Sequence, residues 1–112
     1  MLETLRPPEV PVQVLSAFAA TTFGVEGGWR KLEGERDQNF RVSLAEGGSA
    51  VLKLCNPAEG EDILRCQAEA LEHIALADPG LPIPRLRRTR DGKSLGLLEH
   101  GGVIYPVMLL SW

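Results

Sequence analysis

The sequence has no excess of positive charge. Its 12 Lys and Arg residues are outnumbered by 15 Asp and Glu residues, and the formal net charge at pH 7 is −3. A protein that binds nucleic acid needs a cationic surface, because contacts to the phosphate backbone supply much of the attraction. We therefore expect no nucleic-acid partner.

Cysteine is scarce, and the chain has neither a Cys-x-x-Cys pair nor a cluster of histidines. A zinc site needs convergent Cys or His ligands, usually in closely spaced pairs, so we expect no metal site within these residues. Cys55 falls in a predicted strand and Cys66 in a predicted helix. Both are expected to be reduced, buried thiols of a cytoplasmic protein.

The sequence also lacks a signal peptide and a membrane span. Its first residues are charged and are followed by Pro7 and Pro8, unlike a secretory signal. No apolar run reaches the roughly 18 residues that cross a bilayer. The composition, 44% hydrophobic and 24% charged, is typical of a globular protein, and 112 residues suit one domain. We expect a single soluble domain in the cytoplasm, with no membrane partner.

Helical and strand patterns are both present along the chain. Apolar positions recur at helical spacing over residues 8–23 and 62–77. Alternating or continuous apolar segments predict strands at 29–32, 40–44, 50–55, from 86, around 95–98 and over 103–110. The sequence therefore predicts an α+β fold.

The helix predicted at 62–77 has one apolar face. We expect this face to be buried and to consist of Ile63, Leu64, Ala70, Leu71 and Ile74. At about 100° per residue, Gln67 falls in the middle of the stripe, whereas Glu69 and Glu72 project from the far side. Gln67 is therefore expected to face the sheet.

One charged side chain stands inside an apolar strand. Residues 32–57 read as two strands joined by a turn at residues 46–48, and Lys53 lies in the apolar run 50–55. An ammonium group in such a place must reach water or meet an anion. Phosphate is the anion that we expect.

The polar loop before these strands contains a single glycine, Gly34. A glycine lets a backbone approach a bound phosphate closely, but a plain hairpin turn would use one as well. Both interpretations stay open from the loop alone. Arg36 and Asp37, in the same loop, are expected to form a solvated pair that fixes its shape.

Four ordered segments resemble those of a known family. They are GERDQNFRV at residues 34–42, VLKLCNP at 51–57, LPIPRL at 81–86 and MLLSW at 108–112. Their order and spacing are similar to the aminoglycoside phosphotransferase and choline kinase family, and most to hydroxylysine kinase-like members, including those fused to aminotransferase-like domains. The resemblance covers roughly residues 23–112. It implies a protein-kinase-like amino-terminal lobe, with an antiparallel sheet of about five strands, a central helix and an additional N-terminal helix.

The resemblance also implies a set of nucleotide-binding residues. Lys53 takes the position of the lysine that contacts the α- and β-phosphates of ATP. The loop over the phosphates corresponds to Gly34, Glu35, Arg36, Asp37, Gln38 and Asn39. The strand end that meets adenine corresponds to Leu110 and Ser111, with Trp112 in the hinge. Gln67 stands where related kinases have a glutamate that pairs with the lysine, so phosphate is expected to be the main charge partner of Lys53.

Other family motifs are absent from the sequence. There is no His-x-Asp motif and no Asp-Phe-Gly-like triplet. The resemblance places the catalytic residues, the Mg²⁺ ligands and the pocket for a small amino-alcohol or aminoglycoside-like substrate in a carboxy-terminal lobe. Because none of these parts is in the sequence, we expect the chain to be inactive alone. Because it ends on its most apolar segment, we also expect it to be a fragment that is prone to self-association.

Two other interpretations stay open. The first is a non-catalytic pseudokinase-like module that binds nucleotide or a protein. The second is a small α+β interaction domain in which Lys53 is incidental.

Overall fold

A computed structural model describes residues 8–34 and 36–111 of the chain. It contains two α-helices, α1 (Val12–Thr22) and α2 (Glu61–Ala77), and a short 3₁₀ helix, Pro57–Glu59. Its strands are β1 (Gly27–Leu32), β2 (Gln38–Leu44), β3 (Ser49–Leu54), β4 (Arg85–Arg87), β5 (Gly96–His100) and β6 (Val103–Ser111). In this part of the chain, no helix combines the length and apolar character needed to cross a bilayer. The expected α+β fold is confirmed.

The first helix is shorter than its sequence pattern suggests. It begins at Val12, directly after Pro11, which has a φ of −59° and serves as the N-cap. Proline has no N–H to lose at a helix start, so it suits this position. After the helix, Gly24 has a φ of +69°, which glycine adopts without strain.

The sheet is antiparallel throughout and has six strands. Its order is β1-β2-β3-β6-β4, and β5 pairs separately with β6. The long strand β6 therefore has two parts: residues 103–107 pair with β5, and residues 107–111 pair with β3, with β4 on the other side of residues 109–111. Strand β6 therefore connects β4 and β5 to the part of the sheet formed by β1, β2 and β3.

Glycines close the hairpin turns between β5 and β6 and between β2 and β3. Between β5 and β6, Gly101 and Gly102 have φ values of +59° and +78°. A two-residue turn with positive φ at both positions matches the twist of the flanking strands. Gly47 and Gly48, between β2 and β3, have φ values of +102° and +81°. The turns expected at these positions are therefore present.

The two helices cover opposite faces of the sheet. On the face against α1, which we call the α1 face, Leu15 and Ala19 pack with Phe40, Leu52 and Leu109. The opposite face, the α2 face, carries a second cluster of buried residues, which are Cys55, Leu64, Ala68, Leu95 and Met108. Because side chains alternate along a strand, each β3 residue belongs to one face or the other.

The buried face of α2 differs from the expected one. Ile63 and Ile74 are 60% and 42% exposed, and Ala70 is exposed as well. The residues that are buried are Leu64, Ala68 and Ala75, with Leu71 packed beside them. The stripe is rotated because two small alanines, and not the large isoleucines, provide the surface that contacts the sheet.

Two arginines after α2 fasten the helix to the sheet. Arg85 of β4 donates hydrogen bonds to the carbonyl oxygens of Ala75 and Pro79, at 3.0 and 2.6 Å. Arg88 holds the carboxylate of Glu72 through two hydrogen bonds of 2.9 and 2.6 Å. Carbonyls at a helix C-terminus lack intrahelical partners, so a cationic donor there is stabilising. These bonds fix the position of α2 over the α2 face.

Candidate functional site

Lys53 lies on the α2 face of the sheet. Its β3 neighbours Leu52 and Leu54 are fully buried on the α1 face, so the alternation of the strand directs Lys53 to the other side. In the register of the sheet, Asn39 of β2 and Met108 of β6 are its direct neighbours. Asn39, Lys53 and Met108 therefore form one row across three strands.

The ammonium group of Lys53 contacts an acid in the β1–β2 loop (residues 33–37). Lys53 Nζ lies 3.2 Å from Asp37 Oδ2. The Asp37 side chain is only 13% exposed, whereas that of Lys53 is 36% exposed. The ammonium is therefore turned toward the loop and keeps an open side to solvent.

Asp37 also holds the end of β3. Its Oδ1 accepts a hydrogen bond of 3.0 Å from the backbone N–H of Asn56. The Asn56 side chain donates from Nδ2 to the carbonyl oxygen of Arg36 at 3.2 Å, and its Oδ1 accepts from the Ala58 N–H at 3.0 Å. Asn56 is not among the predicted site residues, although an asparagine before a proline at a strand end is a typical capping signal.

Gly34 is required by the shape of the β1–β2 loop. A Cβ atom at this position would overlap the carbonyl oxygen of Asp37 and would lie 2.6 Å from Asn39 Nδ2. The loop therefore folds back on itself around Gly34, with Asp37 and Asn39 against it. Only glycine leaves room for this approach.

The expected pair between Arg36 and Asp37 is not the one that forms. Arg36 instead lies 3.6 Å from Glu59, in the 3₁₀ helix, and its side chain is half exposed. Asp37 is engaged by Lys53 and Asn56. Arg36 and Asp37 thus pair with residues at the end of β3 and just after it, because the loop lies over that end of the strand.

Gln38 does not belong to the loop. It is the first residue of β2, and its side chain points to the α1 face, where it is nearly buried. There Gln38 Oε1 accepts from the Val10 N–H at 2.9 Å, and Gln38 Nε2 donates to the Val10 carbonyl at 2.8 Å. Its assignment to the nucleotide loop is therefore wrong for the side chain, which anchors the segment before α1.

Gln67 does not occupy the expected place beside Lys53. It is exposed, because the buried stripe of α2 runs through Leu64, Ala68 and Ala75 and leaves position 67 to one side. The carboxylate that neutralises Lys53 comes from Asp37. That phosphate is the main charge partner of this lysine stays a prediction.

The residues expected at the adenine end lie at the end of β6. Leu110 is half-buried on the α2 face and pairs with Val51 and Leu86. Ser111, the last residue of the strand, pairs with Ala50 and Arg85. Two further predicted residues, Glu35 and Trp112, lie outside the described part of the chain.

The two thiols differ in their surroundings. Cys55 is fully buried in the α2-face cluster, and burial, with a smaller contribution from the Asp37 carboxylate, raises its pKa to about 12. Cys66, on α2, is exposed, contrary to expectation, because it points away from the buried stripe. Across residues 8–34 and 36–111, no three His, Cys, Asp or Glu side chains converge as a metal site would require.

Comparison with known proteins connects this geometry to a family. No family model matches the chain. Over 87 residues, which are 74% of this chain, it is 34% identical to hydroxylysine kinase of Danio rerio. This similarity, together with the fold, supports an aminoglycoside phosphotransferase- or protein-kinase-like family for the chain. The chain spans 24% of the length of that relative.

Two solved kinase structures share the fold. Amicoumacin kinase hAmiN, solved in complex with AMP-PNP, Ca²⁺ and Ami, has a TM-score of 0.71 at 13% identity. A microcompartment-associated aminopropanol kinase has a TM-score of 0.69 at 16% identity. These alignments cover 92% and 91% of this chain and 31% of each solved chain. The protein-kinase-like amino-terminal lobe expected from the sequence is thereby confirmed as the fold.

Proposed function

We propose that the chain binds ATP on the α2 face at Lys53 and serves as the nucleotide-binding lobe of a small-molecule kinase. The observation that carries this proposal is the contact between Lys53 and the β1–β2 loop, in which Gly34 leaves no room for a side chain. A lysine on the third strand beneath a glycine-containing loop is the arrangement that kinases use to hold phosphates.

The residues at Lys53 fit a triphosphate. An ammonium group has three donors, and the contact with Asp37 leaves the exposed side of Lys53 for phosphate oxygens. Backbone of the β1–β2 loop, including Arg36, would cover the phosphates, and the backbone at Leu110 and Ser111 would receive adenine. ATP would supply the γ-phosphoryl group, and Mg²⁺ would neutralise its charge. We place the Mg²⁺ ligands and the catalytic base in a carboxy-terminal lobe of a longer protein.

The proposed acceptor is a hydroxyl group of a small amino-alcohol or aminoglycoside-like molecule. Hydroxylysine and aminopropanol, from which two relatives are named, both combine an amine with a hydroxyl group. Without a His-x-Asp motif, the 112-residue chain alone is expected to transfer no phosphate. Its exposed Ile63 and Ile74 should favour self-association of the isolated lobe, and a strictly monomeric species by light scattering at high concentration would contradict this.

A pseudokinase-like nucleotide- or protein-binding module is the second candidate. It is favoured by the uncharged Gln67 at the position where related kinases have a glutamate. The two candidates differ in one measurement on the full-length protein. A kinase releases ADP faster when a hydroxylated amine is added, whereas a pseudokinase binds ATP and turns none of it over.

The test of ATP binding compares two lysines. Lys53→Met should abolish the rise in melting temperature that Mg·ATP gives the full-length protein, because it removes the phosphate ligand but keeps an unbranched stem. Lys93→Met is the matched control, since Lys93 is exposed and lies beside Asp91 in the turn before β5. The proposal would be overturned if Mg·ATP raised the melting temperature of both variants equally, or if it did not raise that of the wild type.

A further inference from the structure

Asp37 uses its two carboxylate oxygens for different tasks. Oδ2 faces Lys53 Nζ at 3.2 Å, and Oδ1 accepts the Asn56 N–H at 3.0 Å. The side chain is mostly buried. Its position is therefore fixed by the backbone at the end of β3 as well as by the lysine.

In protein kinases, the strand lysine that contacts the phosphates pairs with a glutamate from a helix. In this chain, Gln67 is uncharged and exposed, and the acid beside Lys53 comes from the β1–β2 loop. We propose that Asp37 is the positioning residue for Lys53, holding its ammonium group for the phosphates of ATP. This role rests on the proposed function of the site.

Asp37 would position the lysine rather than compete with the nucleotide. If Asp37 moved away, the N–H of Asn56 would lose its acceptor at a largely buried place, which is costly. Lys53 keeps an exposed side while it contacts Asp37, so a second anion can bind without displacing the first. The acid and the phosphate would share one ammonium group.

The first variant is Asp37→Asn, which keeps an oxygen acceptor for the Asn56 N–H and removes the charge. We expect the Kd of the full-length protein for Mg·ATP to rise about tenfold, the size of effect of one hydrogen bond to a charged group. Asp62→Asn is the matched control, because Asp62 is exposed on α2 and pairs with Arg65. Its Kd should equal that of the wild type.

A double-mutant cycle separates positioning from loop stability. If Asp37 acts through Lys53, Asp37→Asn should add nothing to the affinity lost in Lys53→Met. Melting temperatures of all variants are measured without nucleotide to confirm folding. Should Asp37→Asn fail to fold, Asp37→Glu keeps the charge and should bind Mg·ATP more weakly than the wild type but more tightly than Lys53→Met.

The outcomes distinguish the two proposals. A wild type that binds no Mg·ATP defeats the proposed function and the role of Asp37 together. Loss of affinity in Lys53→Met, with Asp37→Asn unchanged or tighter, defeats only the role of Asp37. If Asp37→Asn weakens binding by the same factor in the wild type and in Lys53→Met, its effect does not act through the ammonium group. That result also defeats only the role of Asp37.

Discussion

Asn56 and Asp37 join the end of β3 to the β1–β2 loop: the Asn56 N–H lies 3.0 Å from Asp37 Oδ1. Asn56 also bonds through its side chain to the Arg36 carbonyl and to the Ala58 N–H. One nearly buried asparagine thus fixes the loop above Lys53 and begins the 3₁₀ helix after the strand. The loop is held by the strand that carries the lysine, so its position does not require a ligand.

Replacement of this asparagine should destabilise the fold. Asn56→Ala keeps the backbone N–H but removes the bonds to Arg36 and Ala58, and we expect the free energy of unfolding to fall by about 1–2 kcal/mol. Urea denaturation measures this change. Gln13→Ala, an exposed amide on α1, is the control and should be neutral. Equal unfolding curves for wild type and Asn56→Ala would contradict the role given to this residue.

Gly34 should be necessary for Mg·ATP binding, whereas Gly28 should not. Gly34→Ala would force its methyl group against Asp37 and Asn39, so the loop that carries Asp37 must shift. We expect Mg·ATP affinity of the full-length protein to fall about tenfold or more, as for other strained loop substitutions. Gly28→Ala in β1 meets open space and should bind normally. Calorimetric titration measures the Mg·ATP affinity of both variants. Weaker binding by Gly28→Ala than by Gly34→Ala would contradict the role of Gly34.

The loop glycine and the lysine strand could be predicted from the sequence because their signals are local. A glycine in a polar loop and a cation in an apolar strand are visible without any knowledge of the fold. The partner of Gln38 could not be predicted, since Val10 is 28 positions away and the bonds are to its backbone. The pairing of Lys53 with Asp37 likewise depends on how the loop folds over β3.

The predicted buried face of α2 is wrong for a different reason. The sequence pattern predicts that large aliphatic residues such as Ile63 and Ile74 are buried, yet they are exposed and the small Ala68 and Ala75 are buried. A periodic pattern on a helix with apolar residues on more than one side does not determine which side is buried. The prediction that Gln67 faces the sheet rests on the same buried face and is therefore wrong as well.

The pair between Glu72 and Arg88 should make stability depend on pH. Hydrogen bonds from Arg88 hold the pKa of Glu72 below its ordinary value of 4.5. A lowered folded-state pKa contributes stability above pH 4.5, and this contribution is lost as the pH falls through the folded value. Glu72→Gln should therefore be less stable than the wild type at pH 7, with a smaller difference at pH 3. Glu99→Gln, at an exposed glutamate of β5, is the control. A stability difference between Glu72→Gln and the wild type that grows on acidification would refute the pairing.

The two cysteines should react with thiol reagents at very different rates. Cys66 is exposed on α2, whereas Cys55 is buried with a pKa raised to about 12, and only the thiolate attacks. We expect one thiol to react rapidly with a disulfide reagent in the native protein and the second only after denaturation. Cys66→Ser should abolish the rapid phase. A rapid phase that persists in this variant would show that Cys55 is accessible.

The central claim is that ATP binds on the α2 face at Lys53. The most direct measurement is the change in backbone amide chemical shifts when Mg·ATP is added to the ¹⁵N-labelled full-length protein. The predicted result is that the largest changes fall in the β1–β2 loop, at Lys53 and at the end of β6. Changes confined to the α1 face, or no changes at saturating Mg·ATP, would contradict the claim.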